Sequence, residues 1–395
     1  MLEITRIIIN KDSKALFSHK INLKMKRIPI LLLVLFIFAC KENKTEVITP
    51  EVTTTKTTTE ETKKETLIFP EETHFKSLRQ VTFGGDNAEA YWSFDDKQLI
   101  FQSNNKEWGL ECDQMFLMGA DETFNGTIPP MVSTGKGRTT CAYFLPDNKS
   151  FVYGSTHLVD EACPEVPLRK NGRYVWPVYD SFDIFVSDLE GNITGQLTDL
   201  PGYDAEATVS PVGDKIVFTS TRSGDLELYT MNIDGSDVKQ ITDELGYDGG
   251  AFFSPDGTKL IFRSSRPKTD EEIAKYKGLL ADGLVEPTNM ELYICNADGS
   301  DMKQLTNLGN ANWSPFFTPD GKRVLFSSNY EAERGFPFNL YMIDIDGKNL
   351  ERITHSETFD AFPVFSNDGK YLIFSSNRNN GGGRDTNLFI AEWQD

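Results

Sequence analysis

Short runs in which apolar and polar residues alternate, each closed by a tight turn pair, recur along the chain from residue 78 to its C-terminus. FFSPDGTKLIFRSS (252–265), FFTPDGKRVLFSS (316–328) and VFSNDGKYLIFSS (364–376) each read as an aromatic strand, an Asp-Gly turn and a second strand. Alternation with period two marks a half-buried strand, and Asp-Gly supplies the positive backbone angles of a short hairpin. A second hairpin follows each time: ELYTMNIDGSDVKQIT (227–242), ELYICNADGSDMKQLT (291–306) and NLYMIDIDGKNLERIT (339–354). One unit is therefore four antiparallel strands, A to D.

Earlier copies are more degenerate. They are YWSFDDKQLIFQS (91–103) with QMFLMGADE (114–122), YFLPDNKSFVYGS (143–155) with DIFVSDLEGNITGQLT (183–198), and TVSPVGDKIVFTS (208–220). The last of the six A–B–C sets, ending NLFIAEW (387–393), lacks a D strand. LRQVTF (78–83) has the D pattern but stands before the first A strand. Pairing it with 387–393 closes a ring and removes the open edges of the sheets. The expected fold class is all-β: a six-bladed β-propeller of four-stranded antiparallel blades spanning 73–395, closed by an N-terminal strand pairing with the C-terminal blade.

The aromatic-Ser-Pro-Asp-Gly segments and the Leu-Thr endings resemble the WD40-like (PD40) repeats of TolB-type propellers, and the likeness covers 78–395. It implies an envelope compartment and a protein-binding role. TolB itself adds an N-terminal α/β domain and is soluble in the periplasm. Here a Thr-rich stretch takes that domain's place.

The N-terminus reads as an address. From Met25 the chain runs MKRIPILLLVLFIFAC: basic Lys26 and Arg27, apolar Ile28 to Phe38, small Ala39, then Cys40. The apolar run is short of the roughly 20 residues of a spanning helix and fits a signal peptide, with an uncleaved anchor as the alternative. Ile37-Phe38-Ala39-Cys40 resembles the lipobox of bacterial lipoproteins, which implies lipidation of Cys40 and an outer-membrane anchor facing the periplasm, or surface exposure. Residues 1–24 read as a mis-assigned extension, 25–40 as the signal, and 41–72 as a disordered Thr/Lys/Glu-rich tether.

Charge narrows the partners. A net −19 repels phosphate backbones, so nucleic acid is not expected. The expected partner of this monomer is an envelope protein or peptide, with the membrane reached through the lipid anchor only. Mean hydropathy of −0.38, with 28 Phe and 13 Tyr, suits a globular chain of short strands.

Candidate chemistry gathers on one face, where the B–C and D–A connections fall. Segments 156–182 and 266–290 are long insertions there, and loop length on a rigid scaffold marks a working surface. TDEEIAKYKGLLAD (269–282) reads as a helix capped by Thr269 with Glu272, packed on its own blade or serving as a partner-binding lid. Tyr174, Trp176, Pro177 and Tyr179 either stack on a sugar or peptide or form a small local core. Blade alignment puts Asn87, Thr139, Asp204, Asp248, Asn312 and Asp360 in equivalent places, with Glu89, Cys141 and Glu206 two residues on. These positions are expected to ring the channel mouth. They either fix their own turns or bind a cation or a basic group. Arg222, Arg266 and Arg378 recur after the B strands, to grip an anion or to pair with carboxylates and brace blade against blade.

Among Cys112, Cys141 and Cys163 an oxidising compartment favours one disulfide, with the pair left open. A metal site with His157 is the alternative, although the spacing matches no compact zinc pattern. Cys295 aligns with core positions and reads as an inert thiol. No cofactor is expected beyond a cation at the mouth, and no catalytic residue is assigned. Gly-x-Ser-x-Gly, His-Glu-x-x-His and phosphate-loop patterns are absent from the sequence. The leading expectation is a binding scaffold. The alternative is a glycan hydrolase or lyase using Glu89, Asp204, Glu206, Asp248 or Asp360.

Overall fold

The computed structural model describes residues 67–167 and 169–395. Six antiparallel sheets follow one another, five of four strands and one of three. Strands A to C of blade one are Asp86–Trp92, Gln98–Asn104 and Gln114–Gly119, and its D position is reduced to a bridge between Phe116 and Met131. Blade two comprises Thr139–Phe144, Ser150–Ser155, Asp183–Asp188 and Ile193–Gln196. Blade three comprises Asp204–Val209, Lys215–Ser220, Glu227–Asn232 and Lys239–Gln240. Blade four comprises Asp248–Phe253, Lys259–Ser264, Glu291–Asn296 and Lys303–Gln304. Blade five comprises Asn312–Phe317, Arg323–Ser328, Asn339–Asp344 and Glu351–Arg352. In blade six, Asp360–Phe365, Tyr371–Ser376 and Asn387–Trp393 are joined by Phe75–Gln80, with Leu78 opposite Ala391. The displaced strand closes a six-bladed propeller, as its pattern predicted.

A repeated clasp explains the Thr of the Leu-Thr endings. In blade three the Thr242 hydroxyl accepts the Leu228 N–H at 2.8 Å and lies 2.5 Å from the Glu227 carboxylate, which opens strand C. Thr198, Thr306 and Thr354 do the same for Ile184, Leu292 and Leu340. Ser133 replaces Thr in blade one. At the ring closure Thr82 accepts the Leu388 N–H at 2.8 Å. Each clasp ties the outer strand to a buried C strand, so the short D strands need few ladder bonds of their own.

Between blades the core is aromatic and aliphatic. Phe101, Tyr153, Phe218, Phe262, Phe326 and Phe374 occupy equivalent B-strand positions, and each is fully buried. At the turns, Ser254 donates to Asp256, whose carboxylate also takes Thr258 N–H and hydroxyl bonds.

The folded part begins earlier than residue 73. Leu67 and Ile68 pack on the core cluster of blades five and six. Glu72, expected in the tether, is 2% exposed and forms an ion pair with Arg378. The extension 1–24, the signal 25–40 with Cys40, and residues 41–66 of the tether lie outside the described residues. Among the described residues no helix is long and apolar enough to cross a membrane.

Candidate functional site

Every innermost strand carries a bulge at the same place, between Ala88 and Tyr91 in blade one and its equivalents around the ring. The bulged residues are Glu89, Cys141, Glu206, Gly250, Ser314 and Phe362, all with φ between 49° and 58°. Only one of the six is glycine, so five side chains sit in the costly left-handed region. All six line a central cavity of about 1080 Å³ that also meets the inserted loops. The bulge turns these residues into the channel.

The same turn separates two sets that the sequence placed in one ring. Asp204, Asp248, Asn312 and Asp360 open their strands and Asn87 stands second in its own, all at 0–2% exposure, and none of them lines the cavity. Thr139 alone among these strand-opening residues borders it. The expected carboxylate ring at the mouth is therefore corrected: its aspartates point into the blades, where arginines occupy them. Arg222 donates to both oxygens of Asp204 at 3.0 and 2.9 Å. Arg266 grips Asp248 at 2.6 and 2.8 Å. Arg378 takes Asp360 at 2.7 Å together with Glu72. The Asp204 and Asp248 pairs lie within a blade and Arg378 reaches the entering segment, while Arg266 also meets Glu244, in the connection from blade three, at 3.1 Å. Asn87 and Asn312 donate to the carbonyls of Gly84 and Gly309, fixing their own turns.

Glu206, Arg263, Tyr247, Glu89 and Cys141 meet on one wall of the cavity. Glu206 accepts from Arg263 at 2.6 Å, Tyr247 at 2.5 Å, Thr219 at 2.8 Å and the Gly250 N–H at 2.7 Å. Arg263 stacks over Trp176 and Tyr247, at 5.3 and 5.2 Å from their ring centres. Burial opposes its charge, but Glu206 and Tyr247 hold its pKa above the ordinary value. Glu89 accepts one bond, from the Cys141 thiol at 2.8 Å. Burial pushes the Glu89 carboxyl up, against the pull of Cys141 and Arg263. The Cys141 thiol is driven well above its usual value by burial and then by Glu89 and Glu206. It is not an activated nucleophile.

Arg263 and Tyr247 were missed in the sequence. The trace was there: Arg263 stands where other B strands carry Gln102, Gly154, Thr219, Ser327 and Ser375. Gly249-Gly250 stands opposite because a Cβ at 250 would lie 1.9 Å from the Arg263 guanidinium, and one at 249 would lie 2.4 Å from Glu206.

The two insertions meet above blade three. Trp176–Pro177 pairs with Leu284–Val285 as a short ribbon, and Lys170 reaches Asp282 at 3.0 Å. The helix Asp270–Ala281 has the expected capping box of Thr269 and Glu272. It packs on blade three rather than on its own blade: Tyr276, its one buried residue, donates to Asp225. Trp176 lies 5.1 Å from Trp313. Phe336, Phe338, Phe359 and Phe362 continue the aromatic wall edge to face. Cys112 and Cys163 form the disulfide, pinning the root of the blade-two insertion to blade one, while Cys141 and Cys295 are free.

A profile of the TolB beta propeller domain (PD40) matches residues 175–277 and 285–385, just over half of the chain. The chain belongs to this family. The break between the two matched stretches, residues 278–284, falls within the blade-four insertion. Solved structures similar to the chain include a TolB-type protein from Agrobacterium tumefaciens, at 19% identity and TM-score 0.49 over 79% of this chain and 91% of that one. TolB from Acinetobacter baumannii is similar at 18% and 0.47, over 79% and 64%. An oligogalacturonate lyase in complex with manganese is similar at 14% and 0.45, over 79% and 90%. No curated protein matches the chain.

Proposed function

We propose that this TolB-type propeller is an envelope binding scaffold whose central cavity, roofed by the joined insertions, receives part of a protein or peptide partner. The observation that carries the reading is the aromatic cavity on a rigid ring, with Glu206 and Arg263 on its wall already paired. Large, preformed, mostly apolar concavities are where ligands bind. Glu206 is held by four donors, Asp204, Asp248 and Asp360 by arginines, and the Cys141 thiol is kept protonated. The compartment follows the same proposal. The Met25 to Cys40 pattern supports lipid anchoring, and the Cys112–Cys163 disulfide suits an oxidising envelope.

The test places a photo-crosslinking residue at Phe336, on the cavity rim, and another at Tyr371, which lies away from that rim. The reading expects one envelope protein captured from Phe336 and lost with Trp176→Ala. Equal capture from both positions would overturn it.

Glu89 favours a second reading, as a general acid on a glycan, because its raised carboxyl faces the cavity. Glycoside hydrolysis needs a second, available carboxylate, and Glu206 is fully bonded. Turnover of envelope polysaccharide by the wild type, abolished by Glu89→Gln, would reverse the order of the two readings.

A further inference from the structure

Charge is unevenly distributed over this acidic chain. Its formal net charge is −19, yet the cavity lining holds five arginines against three carboxylates, Glu89, Asp113 and Glu206. Arg138 is paired with Asp113 and Arg263 with Glu206. The remaining three, Arg169, Arg334 and Arg384, belong to no ion pair within 4.0 Å among the described residues. Asp86 lies within electrostatic reach of Arg384 but not in contact. All three are exposed. They come from the blade-two insertion and from the B–C loops of blades five and six, so they stand at separate points around the rim. Inside that rim the wall is aromatic, with Trp176, Trp313, Phe336, Phe338 and Phe362.

Resting on the scaffold reading above, we infer that the segment received by the cavity is an acidic peptide bearing aromatic side chains. Its carboxylates meet Arg169, Arg334 and Arg384, and its rings enter the aromatic cup. Guanidinium groups suit carboxylates because their paired N–H donors match both oxygens. A basic segment finds no such rim. The cavity carboxylate without a cation is Glu89, set on the bulged ring and holding a thiol. A glycan fits less well than a peptide, because its hydroxyls need many polar partners and the phenylalanine wall offers none.

The experiment uses the full chain in detergent micelles and fluorescence anisotropy with three labelled probes: a short peptide alternating Glu and Phe, its Lys and Phe counterpart, and an oligomer of glucuronic acid. The Glu–Phe peptide is expected to bind at least about tenfold more tightly than the Lys–Phe peptide. The triple variant Arg169→Gln, Arg334→Gln, Arg384→Gln is expected to bind it about tenfold more weakly, the product of roughly twofold per exposed pair. Its salt dependence should also flatten. The corresponding triple Lys variant should recover most of the affinity. Unchanged tryptophan emission and melting temperature in both variants separate lost contacts from lost folding.

Equal or tighter binding of the Lys–Phe peptide overturns the inference, as does undiminished binding by the Gln variant. Binding of the glucuronic acid oligomer alone overturns the peptide assignment. If no probe binds while Phe336 still captures a partner, the acidic class falls and the scaffold reading stands. If capture fails as well, both fall.

Discussion

Replacing Arg378 by Met would leave two buried carboxylates without their cation. Asp360 and Glu72 are 0% and 2% exposed. Arg378 donates to Asp360 at 2.7 Å, to the two oxygens of Glu72 at 3.0 and 3.1 Å, to the Leu67 carbonyl at 2.9 Å and to Ser376 at 3.1 Å. Its guanidinium lies 5.3 Å from the rings of both Phe69 and Phe374. The other oxygen of Asp360 has no partner, so nothing else shares that charge. Removing one member of a buried ion pair costs about 3–5 kcal/mol, because the charge left behind stays desolvated. Methionine keeps much of the stem's packing, so the loss is mainly electrostatic. The damage also has an address, since Glu72 leads into the strand that closes the ring. Urea unfolding of Arg378→Met should show a loss of about 3–5 kcal/mol, with protease cleavage and amide exchange appearing first across 67–80. Adding Asp360→Asn and Glu72→Gln should return part of that stability. A loss under about 1 kcal/mol, or early opening elsewhere in the ring, would refute the reasoning.

Three further outcomes follow from the site. Reducing the Cys112–Cys163 bond, or replacing both cysteines by Ser, should lower stability by about 4 kcal/mol on loop-entropy grounds for a separation of 51 residues. Melting curves with and without reductant check this, and the double Ser variant should not respond to reductant. Tyr276→Phe removes the hydroxyl that ties the helix to Asp225 and should cost about 1–3 kcal/mol. Trypsin cleavage at Lys275 and Lys277 should then quicken before the propeller itself unfolds. Gly250→Ala forces a Cβ into Arg263 at a residue with φ of 57°, for an expected cost of about 1–3 kcal/mol. Quenching of Trp176 emission should change as Arg263 moves off its ring.

The ring was legible because its signals are local and repeated. Period-two alternation, Asp-Gly turns and a Thr at the D end of every blade but the first recur closely enough to count blades, and the orphan Thr82 already marked the closing strand. Which side chain faces the channel was not legible. Asp204 and Glu206 are two residues apart, and in an unbroken strand they would share a face. The bulge at Glu206 separates them, and a left-handed backbone leaves no signature when Glu, Cys, Ser and Phe all adopt it. The helix was readable from its cap, but its landing on blade three was not. That choice depends on Tyr276 meeting Asp225, 51 residues away in sequence. Leu67 and Ile68 were hidden by the polar composition around them, although two adjacent apolar residues before a buried Glu were the hint.

Blade three carries one further consequence of the Thr clasp, and it concerns pH. Asn339 and Asn387 open the C strands of blades five and six as neutral groups, whereas blade three uses Glu227. Burial, with Asp248 and Asp225 adding to it, pushes the Glu227 carboxyl up to about 8, although Thr242 pulls the other way. Burial raises Asp248 as well, but Arg266 holds both of its oxygens, so the proton resides on Glu227. Below the ordinary value of 4.5 the folded and unfolded chains both keep this proton, and the contribution is complete. As pH climbs toward about 8 the unfolded chain has released it while the folded chain retains it, so stability falls across that window. The Asp-Gly turns act in the opposite sense. Asp256, drawn down to about 2 by Ser254 and Thr258, loses its contribution only on acidification. Glu227→Gln should therefore flatten the decline between pH 5 and 8 while leaving the acid limb unchanged. Urea midpoints across that range measure the difference directly. An identical slope in the variant would mean that Glu227 is ionised in the folded chain and that Arg266 neutralises it beside Asp248.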